Sequence, residues 1–164
     1  MNGGGSENLS ARDQLAATYD RYADALYRHA LLITADHALA EDALQQAFAK
    51  LAAMGEGIGA LDSVEGYLRI AVRNESYRLL QSRRLAIAVE RYRLAIGGKL
   101  PQSLETLPGV AKELLTDPHT GKTFHFDKQA DEYSISSEGP ENARGKELST
   151  KIDQWGIRVS LMGR

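Results

Sequence analysis

The chain has 164 residues, 43% of them hydrophobic, with no cysteine and a formal net charge of −2. That length suits one ordinary domain or two small ones, and the apolar content is enough for a packed core. Disulfides, thiolate metal sites and cysteine nucleophiles are excluded; no apolar run of about 18 residues offers a spanning helix, and the glycine-rich start lacks the regions of a signal peptide.

Residues 1–12 read as a disordered tail. Leu15, Tyr19, Tyr22 and Leu26 are spaced by four, three and four residues, the period of one helical face, and predict a helix to about Ile33. Thr34-Ala-Asp36 supplies turn and N-cap chemistry. A second amphipathic helix follows, with Leu39, Leu44, Phe48 and Leu51 inward and Glu41, Asp42, Gln45 and Lys50 outward. Gly55, Gly57 and Gly59 suggest a flexible connection. Asp62-Ser63-Val-Glu65 opens a third helix, with acids at its positive end and an apolar stripe of Val64, Leu68, Ala71 and Val72.

That helix carries the most concentrated chemistry of the chain. Between Gly66 and Arg84 lie five arginines, two tyrosines and Asn74 against one acid, Glu75. From Asp13 to Glu65 the balance is reversed, with nine acids opposed only by Arg21, Arg28 and Lys50. Such asymmetry predicts two faces with different partners. Guanidinium groups mixed with rings and an amide suit phosphates and unpaired bases. The bland alternative is a solvated basic face with Tyr67 and Tyr77 as core rings.

The helical period continues past Arg84 through Leu85, Val89, Tyr92 and Ile96 and stops at Gly97-Gly98, with Pro101 beyond. Short helices are expected over Ser103–Leu107 and near Val110–Leu115. Asp117-Pro-His-Thr-Gly121 is turn chemistry, and Thr123–Phe126, Tyr133–Ser136 and Ile152–Leu161 read as short strands. The expected architecture is α+β: a three-helix N-terminal bundle over 13–84 shares a long helix with a small antiparallel sheet unit over 85–164.

Three groups of residues, over about residues 14–84, resemble region 2 of bacterial RNA polymerase sigma factors of the extracytoplasmic-function type. They are Tyr19-Asp-Arg-Tyr22 with Leu26-Tyr27, Ala40-Glu-Asp-Ala-Leu-Gln-Gln-Ala-Phe48, and Tyr67-Leu-Arg-Ile-Ala-Val-Arg-Asn74 with Arg83-Arg84. The resemblance implies a transcription-initiation module in the cytoplasm. Its second helix would dock on the polymerase core, with Glu41, Asp42 and Gln45 as the polar face and Phe48 as the buried anchor. Its third helix would hold the non-template single strand of promoter DNA through Arg69, Arg73, Asn74, Tyr77, Arg78, Arg83 and Arg84. Nothing after Leu85 resembles the second, duplex-reading domain of that family, so weak DNA binding outside the polymerase is expected.

Residues 86–160 resemble type II secretion pseudopilins, in Ala88-Val-Glu-Arg-Tyr-Arg-Leu-Ala-Ile-Gly-Gly-Lys-Leu-Pro101, Asp117-Pro-His-Thr-Gly-Lys122, Tyr133-Ser-Ile-Ser-Ser-Glu-Gly-Pro140 and Asp153-Gln-Trp-Gly-Ile-Arg-Val159. This implies an alternative: a structural or interaction protein whose helical front replaces the family's membrane anchor, with a protein partner for the C-terminal domain. A third reading is a recombined fusion without selected activity. Calcium, bound in some pseudopilins, would have only Glu141, Asn142 and Asp153, too few oxygens for its six to eight ligands. His119 and His125 flank a turn, with Asp117 and Asp127 nearby, and hint at a metal, but the histidines read better as satisfied surface residues. No P-loop, dinucleotide fingerprint or nucleophile elbow is present. Catalysis, metal and cofactor are therefore not expected, nor is a membrane partner.

Overall fold

The computed structural model describes residues 10–118, 120–129, 132–138 and 154–160. The chain divides into two compact units, Met1–Ser76 and Tyr77–Arg164. In the first, α1 (Ala11–Thr34) and α2 (His37–Ala53) form a helical hairpin. The helix α3 (Val64–Ala95) begins there and runs on into the second unit. The division falls inside α3, ahead of the Arg84 seam that the sequence suggested.

Local chemistry explains the helix ends. Ser10 caps α1 through a capping box: its Oγ accepts from the Asp13 N–H at 3.2 Å, and the Asp13 carboxylate accepts from the Ser10 N–H at 3.3 Å. The helix thus starts at Ala11, inside the stretch expected to be tail. At the other end Ala35 takes the left-handed conformation, with φ 50°, and donates its N–H to Leu31 O at 2.8 Å. Asp36 caps α2 by accepting from the Leu39 N–H at 3.0 Å. The glycines after α2 form a 3₁₀ turn, Gly55–Ala60, rather than a flexible link. Ser63 Oγ accepts from the Gly66 N–H at 3.0 Å at the start of α3. Gly97 and Gly98 have φ of 73° and 93°, and Gly98 donates to Arg93 O at 2.8 Å. This is the six-to-one closure that only glycine makes without strain.

The core of the first unit is built on small residues. Ala30, Ala40, Ala43 and Ala47 are fully buried, which lets the backbones of α1 and α2 approach closely, and Leu26, Leu44, Leu51, Leu68 and Val72 fill the remaining space. Lys50, expected on the outer face, instead forms an ion pair with Glu75. The Glu75 side chain is 2% exposed and that of Lys50 18%.

In the second unit, β1 (His125–Gln129), β2 (Glu132–Glu138) and β3 (Gln154–Ser160) form an antiparallel sheet in the order β1-β2-β3. His125 pairs with Ser136, and Ile135 with Ile157. The sheet begins later than Thr123 because Thr123 bridges to Thr116 and Phe124 donates to Leu115 O at 2.9 Å. The expected short helices are 3₁₀ turns, Leu104–Thr106 and Lys112–Leu115. Leu85 and Val89 of α3 pack in one cluster with Leu104, Leu107, Leu115, Phe124, Tyr133 and Ile135.

The Tyr133 hydroxyl donates to Ala86 O at 3.2 Å inside this cluster. Burial, and then the nearby Glu90 carboxylate, push its phenol well above the ordinary tyrosine range. The stability this residue contributes is therefore complete below pH 10 and is lost as pH rises beyond it, because the unfolded phenol ionises first. Tyr133→Phe is expected to cost about 1 kcal/mol at neutral pH. The variant should also lose less stability than the parent between pH 9 and 11, measured by urea titration at each pH.

Candidate nucleic-acid and partner interface

On α2 the period of 3.6 residues separates two faces. Ala40, Ala43, Leu44, Ala47, Phe48 and Leu51 are buried, while Glu41, Asp42 and Gln45 are exposed together on the opposite side. Of the four residues expected to meet a partner, these three are available. Phe48, expected inward as their anchor, is 7% exposed and belongs to the core, where its ring lies 4.9 Å from that of Tyr19. Tyr19, on the helical face of Leu26 by its spacing, is 44% exposed and packs on Phe48. It is an available ring that its regular helical spacing hid.

The same reading of α3 sorts its arginines. Leu68, Val72, Glu75, Arg78, Ser82, Leu85 and Val89 are buried, one every three or four residues, with Leu79 beside them. Arg78 is in phase with this inner row and only 5% exposed. It could have been recognised by counting back from Val89 and Leu85 at intervals of four and seven residues. Glu75, the one acid of the basic stretch, belongs to the same row and is matched by Lys50. With Glu75 and Arg78 both inward, the exposed charge of the stretch is carried by Arg69, Arg73, Arg83 and Arg84 alone.

The outer row holds Arg69, Arg73, Tyr77, Arg83 and Arg84, all exposed, with Asn74 half-buried beside them. Arg69 is tied to Glu65 one turn earlier, at 2.8 Å. That pair is solvent-exposed and worth little, so a phosphate can displace the carboxylate. Arg73 lies 3.4 Å from Asn74 Oδ1. Tyr77 is 49% exposed. Tyr67, by contrast, is half-buried, and burial followed by the Glu75 charge raises its phenol above the usual range. It stays a neutral ring.

Such a row pairs guanidinium groups with phosphates and leaves a ring for base stacking. No group of three or more His, Asp or Glu side chains is placed to hold a metal among the described residues. Asp117 is fully buried and accepts from Ser137 Oγ, His125 is exposed, and His119, Glu141, Asn142 and Asp153 lie outside the described residues. Among those residues no helix is long and apolar enough to cross a membrane.

Residues 18–86 match the family model of sigma-70 region 2. The match covers less than half of the chain and supports a sigma-factor-like role in transcription initiation in general. It runs from α1 to α3 and includes both exposed faces described above. Comparison with curated proteins and with solved structures finds no match.

Proposed function

We propose that the sigma-70 region 2 segment acts as a transcription-initiation module that docks on the RNA polymerase core and holds single-stranded promoter DNA. The observation that carries this is the division of exposed chemistry within the matched residues: acids and an amide on α2, guanidinium groups and a ring on α3. Glu41, Asp42 and Gln45 make the polymerase contact, braced by Phe48 and Tyr19. Arg69, Arg73, Asn74, Tyr77, Arg83 and Arg84 hold the non-template strand. Arg78, on the inner row, supports the helix and takes no direct part. The role is one of binding, without catalysis or cofactor, in the cytoplasm where polymerase works.

The test is retention of the full chain by purified bacterial RNA polymerase core. The parent protein should be retained, and Glu41→Lys combined with Asp42→Lys should weaken retention about tenfold through reversed charge. Failure of the parent to bind, or indifference to the double reversal, overturns the polymerase contact.

A second reading concerns the C-terminal unit. It has its own core of α3 and sheet residues, and the alternative assigns it a separate interaction role of the pseudopilin-like kind, with a protein partner. Co-purification with envelope or secretion components, without salt-sensitive DNA binding, would favour that reading over the first.

A further inference from the structure

We infer that the single-strand contact surface does not end with the sigma-like match but continues along α3 through Ile87 to Arg91. This rests on the reading of α3 as a DNA-binding helix and extends it to residues beyond Leu85-Ala86, where the match stops. Arg73, Tyr77, Arg84, Ile87 and Arg91 are separated by four, seven, three and four residues, so all five fall on one stripe of the helix. From Tyr77 to Arg91 that stripe measures about 21 Å along the axis.

Each member of the stripe is exposed, Tyr77 at 49% and Ile87 at 46%. Arg84 and Arg91 have no acidic partner among the described residues, whereas Arg93, off the stripe, is neutralised by Glu90 at 2.8 Å. The opposite side of the same turns is the buried row of Ser82, Leu85, Ala86 and Val89.

Charge selects the occupant. In a parallel pairing of two copies, Arg84 and Arg91 would each meet their own counterparts. In an antiparallel pairing centred on Ser82, Arg73 would meet Arg91. Both arrangements set like charges together. A polyanion fits instead, and the alternation of guanidinium groups with an exposed ring and an aliphatic side chain suits a strand whose bases are unpaired. Arg91 is then a phosphate contact, and Ile87 an apolar rest for a base between Arg84 and Arg91.

The experiment is fluorescence anisotropy of the full chain with a labelled single-stranded oligonucleotide of about 16 nucleotides, titrated over a range of salt. Arg91→Gln should weaken binding several-fold at low salt and reduce the salt slope by about 0.7, the loss of one phosphate contact. Arg12→Gln, an equal change of net charge on α1, should leave both unchanged. If Arg84→Gln weakens binding but Arg91→Gln behaves like Arg12→Gln, the extension is overturned while the promoter-strand reading stands. If neither Arg84→Gln nor Arg91→Gln has an effect, both are overturned. Sedimentation as a dimer that Ile87→Asp dissociates, without DNA binding, would overturn the extension in favour of a protein-pairing face.

Discussion

Lys50→Met is expected to destabilise the protein by about 3 kcal/mol, and more than Glu75→Gln does, although the two residues form one ion pair. The asymmetry follows from their burial, 2% for the Glu75 side chain and 18% for that of Lys50. Without Lys50 the carboxylate remains inside the helix packing, where a charge deprived of its main partner is costly. Without the Glu75 charge, Lys50 can extend its four-carbon stem and carry its ammonium to water. Glu75→Gln should therefore cost only about 1 kcal/mol. The double variant Lys50→Met, Glu75→Met replaces the pair with apolar groups of similar volume and should recover most of the loss. Urea titrations followed by helix circular dichroism give all three values. Equal costs for the two single variants would show that the pair is not shielded as its burial implies. The pair matters for function because Glu75 sits under the arginine row, and a loosened α3 would no longer hold that row in one plane.

Arg73→Glu combined with Arg84→Glu is expected to abolish retention on single-stranded DNA at low salt, weakening binding by at least about tenfold and the salt slope by about 1.4. Both side chains are exposed on the outer row, so stability should change by no more than about 0.5 kcal/mol. Arg78→Glu should do the reverse. Its position is 5% exposed, and a carboxylate forced into the inner row should lower the melting temperature by several degrees or prevent folding. Measuring DNA retention and thermal unfolding on the same samples separates the two kinds of arginine. Unchanged retention in the Arg73, Arg84 double variant would remove the basis of the DNA-binding proposal. A stable, DNA-defective Arg78→Glu would place that residue back among the contacts.

Pairing these two experiments has a practical consequence. Arginine count alone would nominate all five residues of the basic stretch for substitution, and a variant including Arg78 would lose binding by unfolding. The burial pattern turns that ambiguous loss into two separable measurements.

Much of the fold was legible in the sequence because it is built from local signals. Asp36 and Ser63 announce helix starts through side-chain acceptors placed three residues before an amide, and both make those bonds. Gly97-Gly98 ends α3 because only glycine closes a helix there without strain. The α+β order followed from the change of apolar period from 3.6 to 2, and the sheet is antiparallel as expected. The strand edges were less legible. Whether Thr123 and Phe124 belong to the sheet depends on Leu115 and Thr116, which lie on a different segment and take the pairing.

For the candidate interface, the sequence by itself determined which chemistry is concentrated where: acids before residue 65, guanidinium groups and rings after it, and an ordered set of residues sufficient to suggest the sigma-like segment. It did so because composition and helical spacing are properties of the chain alone. Only the tertiary structure decided which side of each helix faces solvent. A helix wheel gives relative phase, but packing partners fix its origin, and they lie far away in sequence. Thus Lys50 turned inward to neutralise Glu75 across 25 residues, Tyr19 stayed exposed over Phe48, and Arg78 entered the row of Leu85 and Val89. What remained outside, Arg73, Tyr77, Arg84, Ile87 and Arg91, is a stripe that burial defines and that sequence position alone does not.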